Sequence, residues 1–351
     1  MNKILVTGGC GYIGAHTIVD LIENGFDVIS ADNNSRSSET ILDSVEKITG
    51  KAVKNYKVDL CIYDDTVAIF QENPDIVGII HFAAYKSVGE SVKKPMLYFE
   101  NNLNSLINIL KCADEFNVEN FVFSSSCTVY GNPDKIPVTE DTPMKAAESA
   151  YGATKQMGEQ IVKEAVNSNA NRAILLRYFN PVGAHPSALI GETPLGKPEN
   201  LVPAITQTAI GKLPMMQVLG NDYPTRDGSC LRDYIHVCDI AHAHTLALHY
   251  LTEDRNESNC DVFNLGTGNG FTVLELIAEF EKVSAVKLNY KIGPRRPGDV
   301  VAIYANNDKA RNLLGWNPKY NLREMMATAW KWELKLKNDE NIFSAPDAGL
   351  N

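Results

Sequence analysis

The sequence lacks the features that mark several large protein classes. Its seven cysteines, Cys10, Cys61, Cys112, Cys127, Cys230, Cys238 and Cys260, form no C-x-x-C pair, and their odd number leaves at least one unbridged. Neither a disulfide framework nor a cysteine zinc site fits, and the expectation is a reduced, cytoplasmic protein. No apolar run approaches membrane-spanning length, and Met1-Asn2-Lys3 leads straight into a strand pattern with no secretory signal ahead of it. Positive charge is scarce: 33 Lys and Arg stand against 43 Asp and Glu, a formal net charge of -10. Nucleic acid and anionic membrane are therefore poor partners, and an anionic ligand needs a local cluster of cations. There are no internal repeats and no low-complexity segment. His242, His244 and His249 share one expected helix, but none lies four residues from another, and no metal site is expected.

What is present is the material of an ordinary globular core, with 44% hydrophobic and 22% charged residues. At 351 residues the chain exceeds the usual single domain, so two lobes are expected.

The chain opens with a β-type run, Lys3–Thr7, that breaks into Gly8-Gly9-Cys10-Gly11-Tyr12-Ile13-Gly14. A helical pattern follows through Leu21-Ile22, then a second strand, Asp27–Ala31, ending at Asp32. In a strand–turn–helix–strand unit of this kind the first glycine permits the tight turn. The second lets backbone approach a pyrophosphate, and the third allows close helix–strand packing. The helix N-terminus then turns its unpaired N–H groups toward the phosphates. Asp32, 18 residues past Gly14, is placed to accept a ribose 2′-hydroxyl and to repel a 2′-phosphate, which favours NAD over NADP.

The alternation continues. Val53–Val58 reads as a strand ending at Asp59-Leu60, and Ile76–Phe82 as a buried parallel strand leaving into Ala83-Ala84. A helix is expected around Asn101–Cys112, and Phe121-Val122-Phe123 runs into Ser124-Ser125-Ser126. Serines at the carboxyl end of a parallel strand sit where ligands bind in doubly wound folds, although they also cap turns.

Ser149-Ala150-Tyr151-Gly152-Ala153-Thr154-Lys155 comes next. On a helix Tyr151 and Lys155 share a face, which puts a phenol beside an ammonium. Ionising a free tyrosine at pH 7 costs roughly 4 kcal/mol. A cation about 4 Å away at an effective dielectric near 20 returns roughly that much. The pair is a plausible neutral-pH base, and by itself it equally describes an exposed tyrosine over an amphipathic helix.

Ala173–Tyr178 is a further strand. From about 183 to 232 the chain is rich in Pro, Gly and polar residues, as suits a substrate lobe of loops and short elements. Tyr234–Val237 and Val262–Gly266 read as strands flanking a helix over about Asp239–Leu251, placed to return to the first lobe. A last helix is expected from Leu322 through Trp332. The expected class is α/β: a Rossmann-type doubly wound parallel sheet with a smaller mixed α/β substrate lobe. The boundaries are 1–180 for the dinucleotide lobe, with returning elements about 234–266, then 181–233 and 267–337 for the substrate lobe, and a mobile tail over 338–351.

The motifs TGGCGYIGAHT, HFAAYKSVGES, FSSSCTVYG, YGATK, LRYFNPVGAHPS, GNDYPT, RDYIHV and RRPGD occur in this order. By them the chain resembles the UDP-hexose 4-epimerases of the extended short-chain dehydrogenase family, from Lys3 to about Trp332. The resemblance implies NAD-dependent oxidation and reduction at C4 of a UDP-hexose, interconverting UDP-glucose and UDP-galactose, by a homodimer. It assigns Tyr151 as proton acceptor, Lys155 as its electrostatic partner, and Ser126 as the hydrogen-bonding third member. Its cofactor positions fall on Gly8, Gly11, Tyr12, Ile13, Gly14, Asp32, Asn33, Asn34, Ser35, Arg36, Ser37, Asp59, Leu60, Phe82, Ala83, Ala84, Tyr85, Lys86, Asn101 and Phe179. Its sugar-nucleotide positions fall on Lys86, Asn180, Asn200, Leu201, Gln217, Val218, Leu219, Arg232, Arg296 and Asp299, the two arginines being diphosphate ligands. Ile303 falls at the sugar-pocket gate, where a tyrosine suits plain hexoses and a small residue admits N-acetylated ones. A related dehydratase would need an Asp-Glu pair after the strand-end Thr, and Ser126-Cys127-Thr128 carries no carboxylate.

Overall fold

The computed structural model describes residues 2–169, 171–295 and 300–338. Arg296, Asp299 and the expected tail beyond 338 lie outside the described residues. In chain order the strands are β1 (Lys3–Thr7), β2 (Asp27–Ala31), β3 (Asn55–Tyr56), β4 (Ile76–His81), β5 (Asn120–Ser126), β6 (Arg172–Tyr178) and β7 (Asn180–Val182). Then come β8 (Met216–Leu219), β9 (Leu231–His236), β10 (Cys260–Leu265), β11 (Gly270–Thr272), β12 (Tyr290–Gly293) and β13 (Ala302–Ile303).

Seven of these make one all-parallel sheet in the order β10-β6-β5-β4-β1-β2-β3. Both faces are covered, so its strands are apolar on both sides and still alternate: Ile4 and Val6 enter one core cluster and Leu5 the other. Helices Tyr12–Glu23 and Val237–Thr252 pack on the first face; Tyr63–Glu72, Pro95–Glu115 and Ala150–Ser168 pack on the second. Each fully buried Leu, Ile or Phe there contributes about 1.5–3 kcal/mol. Gly78 interrupts the apolar run of β4 because a Cβ would come within 3.1 Å of Ile4 and 3.2 Å of Leu248. The missing side chain lets the Val237–Thr252 helix settle on the sheet.

Chain order reverses across β1, which has β2 on one side and β4 on the other. The crevice beyond the carboxyl ends of β1 and β4 is where ligands bind in such sheets.

A smaller mixed sheet is built from β11-β9-β13, with β7 also pairing β9, and β12 pairs β8 separately. Here the structure departs from the sequence reading. β10 does join the first sheet, but Leu231–His236 does not return to it; it is the centre of the second sheet. The expected strand over 53–58 shrinks to Asn55–Tyr56, because it only brushes the edge of β2. The helix expected around 101–112 is longer, Pro95–Glu115, started by Pro95 in its first turn.

Candidate active site

At the end of β1 the chain turns at Gly8, whose φ of +69° suits glycine and whose N–H donates to Ala31 O at 2.8 Å. A Cβ on Gly14 would lie 2.2 Å from Gly8 O, so that glycine is required by packing. Gly11 differs, since a Cβ there meets only Gly8 O, at 3.1 Å, and is otherwise in the open. Tyr12 and Ile13 begin the following helix, which has no side-chain cap on its first N–H groups and no acidic residue in its first turn. A turn closed on two sides and open on the third, beside uncapped amides, fits a pyrophosphate.

Asp32 follows β2, and its carboxylate accepts three hydrogen bonds, leaving room for one more on Oδ2. Oδ2 accepts Cys10 N at 3.1 Å, and Oδ1 accepts Asn34 N and the Ser37 hydroxyl, both at 2.9 Å. Burial pushes its pKa above the usual range, while those three hydrogen bonds pull it back. Asn33 Oδ1 accepts Ser35 N at 3.0 Å. Arg36 turns from this loop to grip both oxygens of Glu90, at 3.0 Å each. Among the described residues, no free guanidinium is left beside Asp32 to welcome a 2′-phosphate, and the donor set fits NAD.

Across the crevice, Asp59 Oδ1 accepts Cys61 N at 2.9 Å, and Leu60 O accepts Asn108 Nδ2 at 2.9 Å. The segment Phe82-Ala83-Ala84-Tyr85-Lys86 leaves β4 tied to β1 by Phe82 N to Thr7 O at 3.0 Å. Asn102 then clamps Tyr85 from both sides, accepting its N–H at 2.8 Å and donating to its carbonyl at 3.1 Å. The neighbouring Asn101 donates to Asn102 Oδ1 at 3.0 Å. Asn102 was not read from the sequence, because its role depends on a loop lying across the helix.

Tyr151 and Lys155 lie one turn apart on the Ala150–Ser168 helix, started by Ser149, whose hydroxyl accepts Gly152 N at 3.1 Å. The Ser126 hydroxyl accepts Thr128 N at 3.3 Å, and it stands near enough to the Tyr151 phenol to favour its ionised form. Lys155 is buried and donates to Ser124 O at 2.6 Å. Its Nζ lies 4.9 Å from the Phe123 ring centre and 5.9 Å from that of Tyr151. Burial raises the Tyr151 pKa to about 12, with Ser126 opposing, and lowers that of Lys155 to about 8, with Glu159 opposing.

In the second lobe, Phe179 is buried, and Asn180 Nδ2 donates to Asp233 O at 3.1 Å. Asp233 accepts Thr267 N, Ala305 N and the Thr267 hydroxyl, which rigidifies the loop ends. Arg232 and Ile303 are ladder partners on β9 and β13 and share a face of that sheet. Cys127, next to Ser126, packs against the cluster that holds Ile303 and Ala305, so the two lobes meet beside the serines. Gln217, Val218 and Leu219 lie on β8, with Val218 buried. Asn200 precedes the Leu201–Ala209 helix and donates to Glu192 Oε1 at 2.6 Å. The same oxygen takes Lys86 Nζ at 3.2 Å, and the Tyr12 hydroxyl donates to Gly183 O at 2.6 Å. Glu192, which gathers two expected ligand contacts, was not found from sequence; it sits in a Pro- and Gly-rich loop with no periodicity to flag it.

A family model described as GDP-mannose 4,6 dehydratase matches residues 5–329. The chain is 46% identical over 331 residues to the UDP-glucose 4-epimerase of Bacillus subtilis, covering 94% of this chain and 96% of that one. Among solved structures it is similar to the UDP-glucose 4-epimerase of Bifidobacterium longum in complex with NAD+ and UDP. The TM-score is 0.92 at 44% identity, over 96% of this chain and 99% of that one. The UDP-glucose 4-epimerase of Stenotrophomonas maltophila, solved with NAD and formylated UDP-arabinopyranose, gives 0.93 at 43% identity over 96% and 99%.

Proposed function

The chain belongs to the UDP-glucose 4-epimerase family, within the extended short-chain dehydrogenases, and from that premise we propose the following division of labour. It is an NAD-dependent isomerase that interconverts UDP-glucose and UDP-galactose at C4 of the hexose. The observation that carries the reading is Tyr151, Lys155 and Ser126 converging beside the crevice that the Gly8–Gly14 turn opens. When bound, NAD supplies a reversible hydride acceptor. The amides of Tyr12 and Ile13 would hold its pyrophosphate and Asp32 its ribose. Tyr151 takes and returns the 4-hydroxyl proton, Ser126 orients that oxygen, and Lys155 contributes positive charge beneath the phenol. Arg232, with Arg296, would grip the diphosphate while Asn180, Asn200 and β8 hold the nucleotide, which leaves the sugar free to present either face. Oxidation and reduction cancel, so turnover needs no added NAD.

Dehydration is the neighbouring chemistry, given the description of the matching family model. It needs a proton donor after the strand-end serines, and Cys127, which burial pushes to about 12, is the side chain present.

Ile303 is nearly buried against Val129, Tyr130, Val138 and Phe179. It is shorter than tyrosine and lacks a hydroxyl, so we extend the substrate range to UDP-GlcNAc and UDP-GalNAc, turned over more slowly than the plain sugars. The test is incubation of the holoenzyme with each of four UDP-sugars, without added NAD, followed by chromatography. All four should epimerise, and Ile303→Tyr should cut kcat/KM for the acetylated pair by about tenfold or more relative to the plain pair. No product from UDP-GlcNAc ends the wider range; none from UDP-galactose ends the main reading.

The assembly we propose is a two-fold pair through the helices Val88–Lys93, Pro95–Glu115 and Ala150–Ser168, which expose Val92, Met96 and Met157. Met96→Glu should halve the mass seen by light scattering; a wild-type monomer at micromolar concentration would remove the proposal. Cytoplasmic residence suits seven unpaired thiols, and cell fractionation tests it. Among the described residues, no helix is long and apolar enough to cross a membrane.

A further inference from the structure

Behind the groups that face the sugar lies a buried ion pair to which the chemistry above gives no task. Glu159 follows Lys155 by one turn, on the same face of the Ala150–Ser168 helix as Tyr151. Arg177 projects from β6, and the two side chains are 1% and 3% exposed. The contact is bidentate, with Arg177 Nε donating to Oε1 at 2.7 Å and Nη2 to Oε2 at 2.6 Å. The Ser125 hydroxyl donates to the same Oε1 at 2.5 Å. Arg177 Nη1 extends to the Tyr130 hydroxyl at 3.0 Å and the Glu140 carbonyl at 3.1 Å.

The three serines ending β5 thus meet three successive turns of one helix: Ser126 at Tyr151, Ser124 through its carbonyl at Lys155, Ser125 at Glu159. Such a pair is a weak device for stability alone, because desolvating two charges costs about as much as their attraction returns. We propose that Glu159, clamped by Arg177 and Ser125, is a positioning residue for the epimerase reaction. It fixes the register of the helix on β5 and keeps a negative charge one turn below the Lys155 ammonium. This rests on the reading of Tyr151 and Lys155 given above.

The groups around Lys155 show what that charge does. On its own helix are Tyr151, a phenol raised to about 12, and Glu159. β4 presents His81, which burial lowers to about 3 and so keeps neutral. β5 presents the Phe123 ring and the Ser124 carbonyl. β6 presents Tyr178, raised by burial and hydrogen-bonded to the Ser124 hydroxyl, and Arg177, whose charge Glu159 neutralises. Burial lowers Lys155, and among the described residues Glu159 is the group that works to keep it protonated.

The test is the pH profile of kcat in the holoenzyme of Glu159→Gln. Losing the carboxylate, with Arg177 left unpaired, lets the Lys155 proton leave at lower pH. The alkaline limb should move acidward by about one pH unit, with kcat down about tenfold and KM changed less than about twofold. A Glu159→Gln, Arg177→Met double variant carries the test if the single one does not fold. It leaves no unpaired charge, and should recover stability while kcat stays low. A wild-type alkaline limb in Glu159→Gln, or wild-type kcat in the double variant, overturns the proposal. Full activity in Lys155→Met would overturn the underlying reading instead.

Discussion

Tyr151→Phe is expected to lower kcat by about 10³-fold or more while leaving NAD content and UDP affinity near wild type. The substitution removes one oxygen and keeps the ring, so the packing of the Ala150–Ser168 helix on β5 is unchanged. What it removes is the group we propose as acceptor of the 4-hydroxyl proton. The environment shows how demanding that role is. Burial has raised the phenol to about 12, so ionising it at pH 7 costs roughly 7 kcal/mol. The Lys155 ammonium lies 5.9 Å from the ring centre, and a unit charge about 4–6 Å from the phenolate returns roughly 3–4 kcal/mol at an effective dielectric near 20. Ser126 also favours the phenolate. The remainder has to come from the positive ring of the oxidised cofactor, so the base is made only in the loaded site. Steady-state kinetics of Tyr151→Phe in both directions decides this: retention of a tenth or more of wild-type kcat would move proton transfer to another group.

The parts of the site legible in the sequence are those where local backbone or one helix face dictates the residue. The Gly8, Gly11 and Gly14 spacing is readable because local demands fix it: a positive φ at Gly8, a clash within the turn at Gly14 and an open side at Gly11. The Tyr151–Lys155 pair is readable because a helix brings every fourth residue together. The same rule reaches Glu159. Arg177, a charge inside the apolar run Ala173–Tyr178, announces that a buried partner must exist without saying where. What could not be read depends on contacts made across the chain. Leu231–His236 has the pattern of a strand for either sheet, and its place is decided by pairing with β7, β11 and β13, which lie before and after it. Glu192 meets Lys86 over 106 residues of sequence. The bond from Lys155 to the Ser124 carbonyl, on another element, could not be read either.

The glycine turn yields the second large effect, in a pair of substitutions that separate folding from cofactor binding. In Gly14→Ala the new methyl carbon would sit 2.2 Å from Gly8 O and 2.9 Å from Gly9 Cα. Both are backbone atoms of the same turn, so no rotamer relieves the clash; the turn must open or the helix must shift. Overpacking of this kind costs about 1–3 kcal/mol or more, and the displaced amides of Tyr12 and Ile13 no longer converge on one phosphate. Gly14→Ala should therefore show a lowered Tm together with near-complete loss of NAD from the purified protein. Gly11→Ala should behave otherwise. Its methyl meets only Gly8 O, at 3.1 Å, which a small shift relieves, so Tm should stay within a few degrees of wild type. The methyl would nevertheless occupy the open side of the turn, where a pyrophosphate must approach. NAD affinity should then fall by about tenfold or more, a loss of about 1.4 kcal/mol, with kcat/KM for UDP-galactose falling alongside unless NAD is supplied in excess. Chromatography of acid-extracted nucleotide and a thermal melt on both variants suffice. Full NAD content in Gly11→Ala would mean that the dinucleotide does not lie against this turn, and the assignment of the Tyr12 and Ile13 amides would have to be abandoned.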